Sequence, residues 1–294
     1  MAYRAAKWIY YHLPNKYEMP FREDWPLAVI STTPRSGTWY NHYLFGIYNQ
    51  LLLGNPPHYV NAANFEVLQG IQLNICIVHA NCPGFEPDPE MAVLRGEAGN
   101  PFSWGDPYIE ANPEWFSLHR NDGVRFVFIN RNPLDHCVSI YRHLSVHSNL
   151  EKRAIATSHS IDDFLINVIV PSYIYRYASF RAMALRFPGR IEIISYESMV
   201  ADHDRTFRSM LEFFGRPPSN DEFVRIALDS VRPEKLQEHE RRTGKSLEGQ
   251  AGQSHIRSGK AGTWRDVISD DAIKSARGEF LRWSIDFDAL IRTD

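Results

Sequence analysis

The chain has 294 residues, room for one large α/β domain or two small ones. Its 44% hydrophobic and 23% charged residues are ordinary for a globular protein. The formal net charge of −3 argues against a general nucleic-acid binder, which is usually strongly basic, yet a local basic cluster can still hold a small anion.

Residues 1–13, MAYRAAKWIYYHL, lack the long apolar core of a signal peptide and are expected to form a short helix docked on the domain. No run reaches the ~18 apolar residues of a membrane span. Leu27–Ser31 is expected as a buried strand. It leads through STTPRSGTWY, residues 31–40, into a helical pattern over 38–53 with Tyr40, Leu44, Ile47 and Leu51 on one stripe. Ile75–Val78 is a second strand candidate. Residues 84–122 are rich in Pro, Gly and aromatics, too aromatic for disorder, and read as an inserted loop. Arg125–Ile129 is the third strand candidate, followed by a helix over 133–147 with Asn132 as cap and Pro133 at its first position.

Residues 161–187 are helical on both sides of Pro171, which is expected to kink or split them. Ile191–Ser195 is the fourth strand candidate, and a helix over 203–214 ends at Gly215. From about 235 to 265 the chain turns polar and is expected to be a mobile flap. The three cysteines, Cys76, Cys82 and Cys137, offer neither a disulfide framework nor a zinc site, which points to a reducing, cytoplasmic setting. Apolar strands alternating with helices predict a single domain over 1–294, a three-layer α/β/α fold with a central parallel sheet. Ligands of such sheets bind beyond the carboxyl ends of the strands.

Three segments there carry chemistry. In Thr33-Pro34-Arg35-Ser36-Gly37-Thr38, the N–H groups of a strand–helix turn, the helix dipole, the Arg35 charge and the Ser36 and Thr38 hydroxyls suit a phosphate. It is not a Walker loop, which needs G-x-x-x-x-G-K-[ST]; the one glycine is Gly37, and the base precedes it. After the third strand, Arg131 and Ser139 can grip a second anion. In H-I-R-S-G-K-A-G-T-W-R-D, residues 255–266, Gly259 and Gly262 flank Lys260-Ala261 among Arg257 and Arg265, a basic flap able to wrap an anion. Each segment alone has an ordinary counterpart: a capped turn, a surface arginine, a solvated loop. Together they fit a nucleotide with anions at both ends.

On these residues the chain resembles the cytosolic-type sulfotransferases, which use 3′-phosphoadenosine 5′-phosphosulfate (PAPS) and release 3′-phosphoadenosine 5′-phosphate (PAP). T-T-P-R-S-G-T-W-Y resembles their loop T-Y-P-K-S-G-T-T-W, Arg131 to Ser139 their R-N-P-x-D-x-x-V-S, and R-S-G-K-A-G-T-W-R their flap R-K-G-x-x-G-D-W-K. Tyr196-Glu197 matches a further Tyr-Glu pair. The resemblance implies a P-loop NTPase-like sulfotransferase fold. It also implies that Arg35, Ser36, Gly37 and Thr38 cradle the 5′-phosphosulfate. Arg131 and Ser139 would hold the 3′-phosphate, with Arg257, Ser258 and Gly259 closing over it. Tyr196 would line the adenosine site, and Trp39 or Tyr40 would stack on adenine.

His79, after the second strand, corresponds to the family's general base, and Arg35 is suited to stabilise the leaving phosphate. No metal is implied. The family's lysine two residues before the histidine is Ile77 here, and Ser258 replaces a basic residue. Trp104 and Tyr108 in the insertion are expected to wall a pocket for a small-molecule acceptor, sulfated on a hydroxyl or an amine. Two other classes stay open: a non-catalytic PAP-binding module, and a P-loop kinase, which would need a Walker lysine where Thr38 stands.

Overall fold

The computed structural model describes residues 27–33, 35–57, 59, 74–79 (backbone only), 125–147, 150–243 and 262–292. The expectations for residues 1–13, for Trp104 and Tyr108 in the insertion, and for Arg257, Ser258 and Gly259 lie outside the described residues.

Four parallel strands form the sheet: β1 (Leu27–Thr32), β2 (Asn74–His79), β3 (Arg125–Asn130) and β4 (Ile191–Ser195), in the order β2-β1-β3-β4. Each expected strand is present, with at most one residue added at an end. The chain runs outward from β1 to β2, then returns to the other side of β1 to lay down β3. The strand order therefore reverses between β1 and β3, which makes their carboxyl ends the switch point where such sheets bind ligands.

Helices cover both faces. Along β3 the alternation of side chains sends Val127 and Ile129 to one face and Phe128 to the other. Val127 and Ile129 join Leu44, Phe45 and Tyr48 of α1 (Thr38–Leu52) and Phe207, Met210 and Leu211 of α7 (His203–Phe213) in one core. Short helix α6 (Tyr196–Ala201) precedes α7, and α8 (Asp221–Ser230) and α9 (Pro233–Thr243) complete that layer. On the opposite face Phe128 stacks flat on Phe180, centroids 4.0 Å apart at 6°. A second core lies on that side. It joins α2 (Pro133–His147), α3 (Leu150–Thr157) and α4 (Ile161–Phe164) to α5 (Val170–Arg186), α10 (Asp270–Arg282) and α11 (Phe287–Ile291). No described helix is long and apolar enough to cross a membrane.

Two local outcomes differ from the sequence expectations. Pro171 neither splits nor stops its helix. Its missing N–H and its ring, which crowds the carbonyl of Asn167, are accommodated by a π-helical stretch, Leu165–Ile169, running without a break into α5. The polar segment expected as a flap from about 235 begins as helix: residues 235–243 belong to α9. Pro233 suits the first position, Arg241 and Arg242 sit favourably in the last turn, and Leu236 and Glu240, one turn apart, are both buried. Gly215 behaves as expected. It adopts φ 75°, its N–H bonds to Glu212 O, and Arg216 N–H bonds to Leu211 O, closing α7.

Phe207 is fully buried and meets Phe45 and Tyr48 of α1 edge-on, at 5.1 and 5.3 Å. Phe207→Ala is expected to lower the unfolding free energy by about 3–5 kcal/mol, with Phe207→Leu recovering most of it. Urea titration followed by circular dichroism measures this; midpoints within error of wild type would show that α1 is not held by this contact.

Candidate anion site at the carboxyl edge of the sheet

In register, Thr32 at the end of β1 lies beside His79 of β2 and Ile129 of β3, while Asn130 pairs with Ser195 of β4. The strand ends thus form one edge, and the segments bearing Arg35, Arg131 and Tyr196 all leave from it. The backbone places His79 next to the first residue of the candidate anion loop.

That loop is built from short polar ties. Thr33 N–H donates to Ile129 O at 3.0 Å, extending the β1–β3 ladder, and Ser36 N–H donates back to Thr33 O at 3.0 Å. The hydroxyls pair off, Thr33 with Ser36 and Thr32 with Thr38. Arg35 and Gly37 are both left-handed, at φ 65° and 89°, and Ser36 between them is not. Gly37 sits at the N-terminus of α1, where unsatisfied backbone N–H groups and the helix dipole favour an anion. A left-handed non-glycine residue costs roughly 1–2 kcal/mol and persists only where its surroundings fix it. Gly37 also caps α1 without a side-chain acceptor for the first-turn N–H groups. Asn41, fully buried, donates its Nδ2 to Gly37 O at 2.9 Å and so anchors the loop from the helix side.

The corner between β3 and α2 faces this loop. Asn132 caps α2 through Oδ1, accepting from Leu134 N–H at 2.9 Å. Its Nδ2 donates to Ile291 O at 3.2 Å, and its own N–H to Glu197 Oε1 at 3.1 Å. Burial pushes the Glu197 carboxyl above its ordinary range, opposed by its own and the Asn132 N–H groups and by Arg131. Arg131 is only 8% exposed. Its Nη1 donates to Arg35 O at 3.0 Å, and its guanidinium carbon lies 4.8 Å from the Tyr196 ring centroid. Among the described residues no carboxylate stands within ion-pair reach of it, and its Nε has no hydrogen-bond partner.

Ser139 sits one helical turn beyond Asp135, on the same face of α2. Asp135, fully buried, accepts Gly262 N–H at 2.6 Å and the Thr263 hydroxyl at 2.8 Å. The described part of the C-terminal basic segment is therefore pinned to the first turn of α2. Arg265 is exposed and lies over the Trp264 ring at 4.8 Å.

The two neighbouring aromatics diverge. Trp39 packs on His42, one turn along α1, at 5.6 Å. Tyr40 hydrogen-bonds through its hydroxyl to Nδ1 of His203 on α7. Burial raises the Tyr40 hydroxyl well above its ordinary value and lowers His203. Among the described residues no group of three His, Cys, Asp or Glu side chains is placed to hold a metal.

The structure thus gathers Arg35, Ser36, Gly37, Thr38, Arg131 and Tyr196 at one edge, with the His79 backbone beside them, while Ser139 lies further along α2. It adds residues the sequence reading did not assign: Thr32, Thr33, Asn41, Asp135, Glu197, Met199 and His203. Thr32, Thr33, Asp135 and Glu197 lie inside quoted motifs, and Asn41 follows Gly37 at helical spacing, so those five had a signal. Met199 and His203 had none.

The sulfotransferase domain family matches this chain over residues 26–280. Among solved structures, mouse sulfotransferase SULT7A1 complexed with PAP is similar with a TM-score of 0.53 at 16% identity, over 87% of this chain and 84% of that one. Retinol dehydratase in complex with androsterone and inactive cofactor PAP gives 0.49 at 18% identity, over 90% and 82%. No curated protein matches the sequence.

A Cβ on Gly37 would lie 2.9 Å from Met199 Cε and 3.5 Å from Tyr196 Cε2, on a left-handed backbone. Gly37→Ala is expected to lower stability by about 1–2 kcal/mol from the backbone alone. In a Met199→Ala background only the packing part should be relieved. Chemical denaturation of the four proteins measures both parts; full relief by Met199→Ala would refute the backbone contribution.

Proposed function

The chain belongs to the sulfotransferase family, and we propose that it transfers the sulfuryl group of PAPS to a hydroxyl or amine of a small-molecule acceptor, releasing PAP. The observation that carries the nucleotide part is Arg131, a buried guanidinium with no carboxylate partner among the described residues, beside a loop with two left-handed residues and the N-terminus of α1. A buried charge without a counter-charge is costly, and a bound phosphate supplies one. In this reading Arg35, Ser36, Gly37 and Thr38 surround the 5′-phosphosulfate, and Arg131 and Ser139 take the 3′-phosphate. Arg257, Ser258 and Gly259 belong to the same grip by resemblance. The adenine lies between Tyr196 and the aromatic pair Trp39 and Tyr40. Trp104 and Tyr108 contribute to the acceptor pocket.

PAPS supplies an activated sulfuryl group whose bond to the phosphate oxygen breaks as the bond to the acceptor forms. Negative charge gathers on the leaving phosphate oxygen. The Arg35 guanidinium stays protonated and, with the loop N–H groups, stabilises that charge without moving a proton. The acceptor proton must go elsewhere. His79 is the proposed base, because its backbone stands at the carboxyl end of β2 directly beside Thr32.

His79→Ala is expected to reduce transfer about 10²–10⁴-fold while leaving PAP affinity near wild type. Labelled PAPS incubated with a broad acceptor panel and read by mass detection measures turnover, and calorimetry measures PAP. Unchanged turnover in His79→Ala would remove the base assignment. Tight PAP binding with no transfer to any member of the panel would favour the non-catalytic module.

A further inference from the structure

Resting on the nucleotide reading above, we propose that Arg131 is a positioning residue for the 5′ end of the nucleotide as well as a contact for its 3′-phosphate: a brace that holds the β1–α1 loop in its binding conformation. Arg35 and Arg131 are 96 residues apart in sequence, yet Nη1 of Arg131 donates to the Arg35 backbone carbonyl at 3.0 Å. That carbonyl belongs to the left-handed non-glycine residue of the loop, the one whose backbone most needs an external hold.

Arg131 is itself firmly seated. Its guanidinium carbon lies over the Tyr196 ring, 4.8 Å from the centroid. The next residue, Asn132, is tied to Glu197 by its N–H, to Ile291 by its Nδ2, and to α2 by its Oδ1. A guanidinium presents its donors in a rigid fork, so one corner can bind a carbonyl while another faces an anion. Here Nη1 is engaged with the loop and Nε has no partner among the described residues. The planar group thus links two anion positions that the sequence motifs present as separate. A lysine, with a single point charge on a flexible stem, can serve the phosphate but cannot hold both.

A pure 3′-phosphate contact and a brace predict different binding patterns. PAP carries phosphates at both ends of the nucleoside, and 5′-AMP carries only the one that meets the β1–α1 loop. Calorimetric titration, with competition for weak binders, gives both affinities in wild type, Ser139→Ala, Arg131→Ala and Arg131→Lys. Circular dichroism and thermal midpoints confirm that each variant is folded. Ser139→Ala is expected to weaken PAP several-fold and leave AMP unchanged. Arg131→Ala is expected to weaken PAP by about 100-fold or more and AMP by about 10-fold. Arg131→Lys should recover part of the PAP affinity and none of the AMP affinity. If Arg131→Ala does not fold, Arg131→Lys decides alone, with AMP weakened as the supporting result. AMP affinity equal to wild type in folded Arg131→Ala or Arg131→Lys would overturn the brace and leave the 3′-phosphate role standing. Wild-type protein that binds PAP no better than AMP would instead overturn the 3′ assignment, and protein that binds neither would overturn the nucleotide reading and the brace together.

Discussion

Arg131 holds a full positive charge at 8% exposure, with an aromatic ring beneath it, a backbone carbonyl at one corner and no described carboxylate in reach. Burying a charge this way costs several kcal/mol unless hydrogen bonds and an opposite charge compensate it. The protein provides the first through Arg35 O and part of the second through the quadrupole of the Tyr196 face. Of the acids at this corner, Glu197 is occupied with Asn132 N–H, and Asp135 with Gly262 and Thr263. The acids beside the site are committed to holding backbone in place, which leaves the guanidinium for a ligand anion.

The strand order makes that arrangement possible. Because β1 sits between β2 and β3, the first residues after β1 and after β3 are neighbours across a single ladder spacing, and the pair Thr32 and Ile129 fixes their height. Parallel pairing then sets His79 beside Thr32 on the opposite flank. A buried cation, a polar loop at a helix N-terminus and a histidine backbone from segments scattered over half the chain meet because strand ends align at one edge. The helices on both faces serve this edge indirectly. Phe207 against Phe45 and Tyr48 on one side, and Phe180 on Phe128 on the other, hold the sheet and α1 so that the edge does not shift.

Much of this was legible in the sequence because the informative features were local. Short, β-branched and mostly apolar runs marked the four strands, Asn132-Pro133 marked the start of α2, and Gly215 marked the end of α7. The segment α9 escaped because its buried face consists of Leu236 and Glu240 in an otherwise charged stretch, so no apolar period announced it. The π turn before Pro171 escaped because a proline signals that a helix is disturbed and not how the disturbance is absorbed. In the candidate site, motif residues were readable one by one, but their mutual contacts were not. Nothing in the sequence couples Arg131 to the Arg35 carbonyl, or shows that Met199 closes over Gly37; both depend on the β1–β3 and β3–β4 pairings.

The same distinction bears on the two aromatics that follow the loop. Consecutive helical residues diverge by about 100°, so Trp39 and Tyr40 cannot share a direction. Trp39 turns toward His42 on its own helix. Tyr40 turns toward α7, where it packs against the same core as Tyr196 and donates or accepts through its hydroxyl at His203. A half-buried tyrosine needs a polar partner for its hydroxyl, and His203 provides it while leaving the ring free of that duty. The ring is thereby set on the Tyr196 side of α1, the side on which Arg131 also lies. Tyr40 is therefore the aromatic that packs toward α7 and Tyr196, its ring 4.8 Å from that of His203, while Trp39 leaves α1 in another direction.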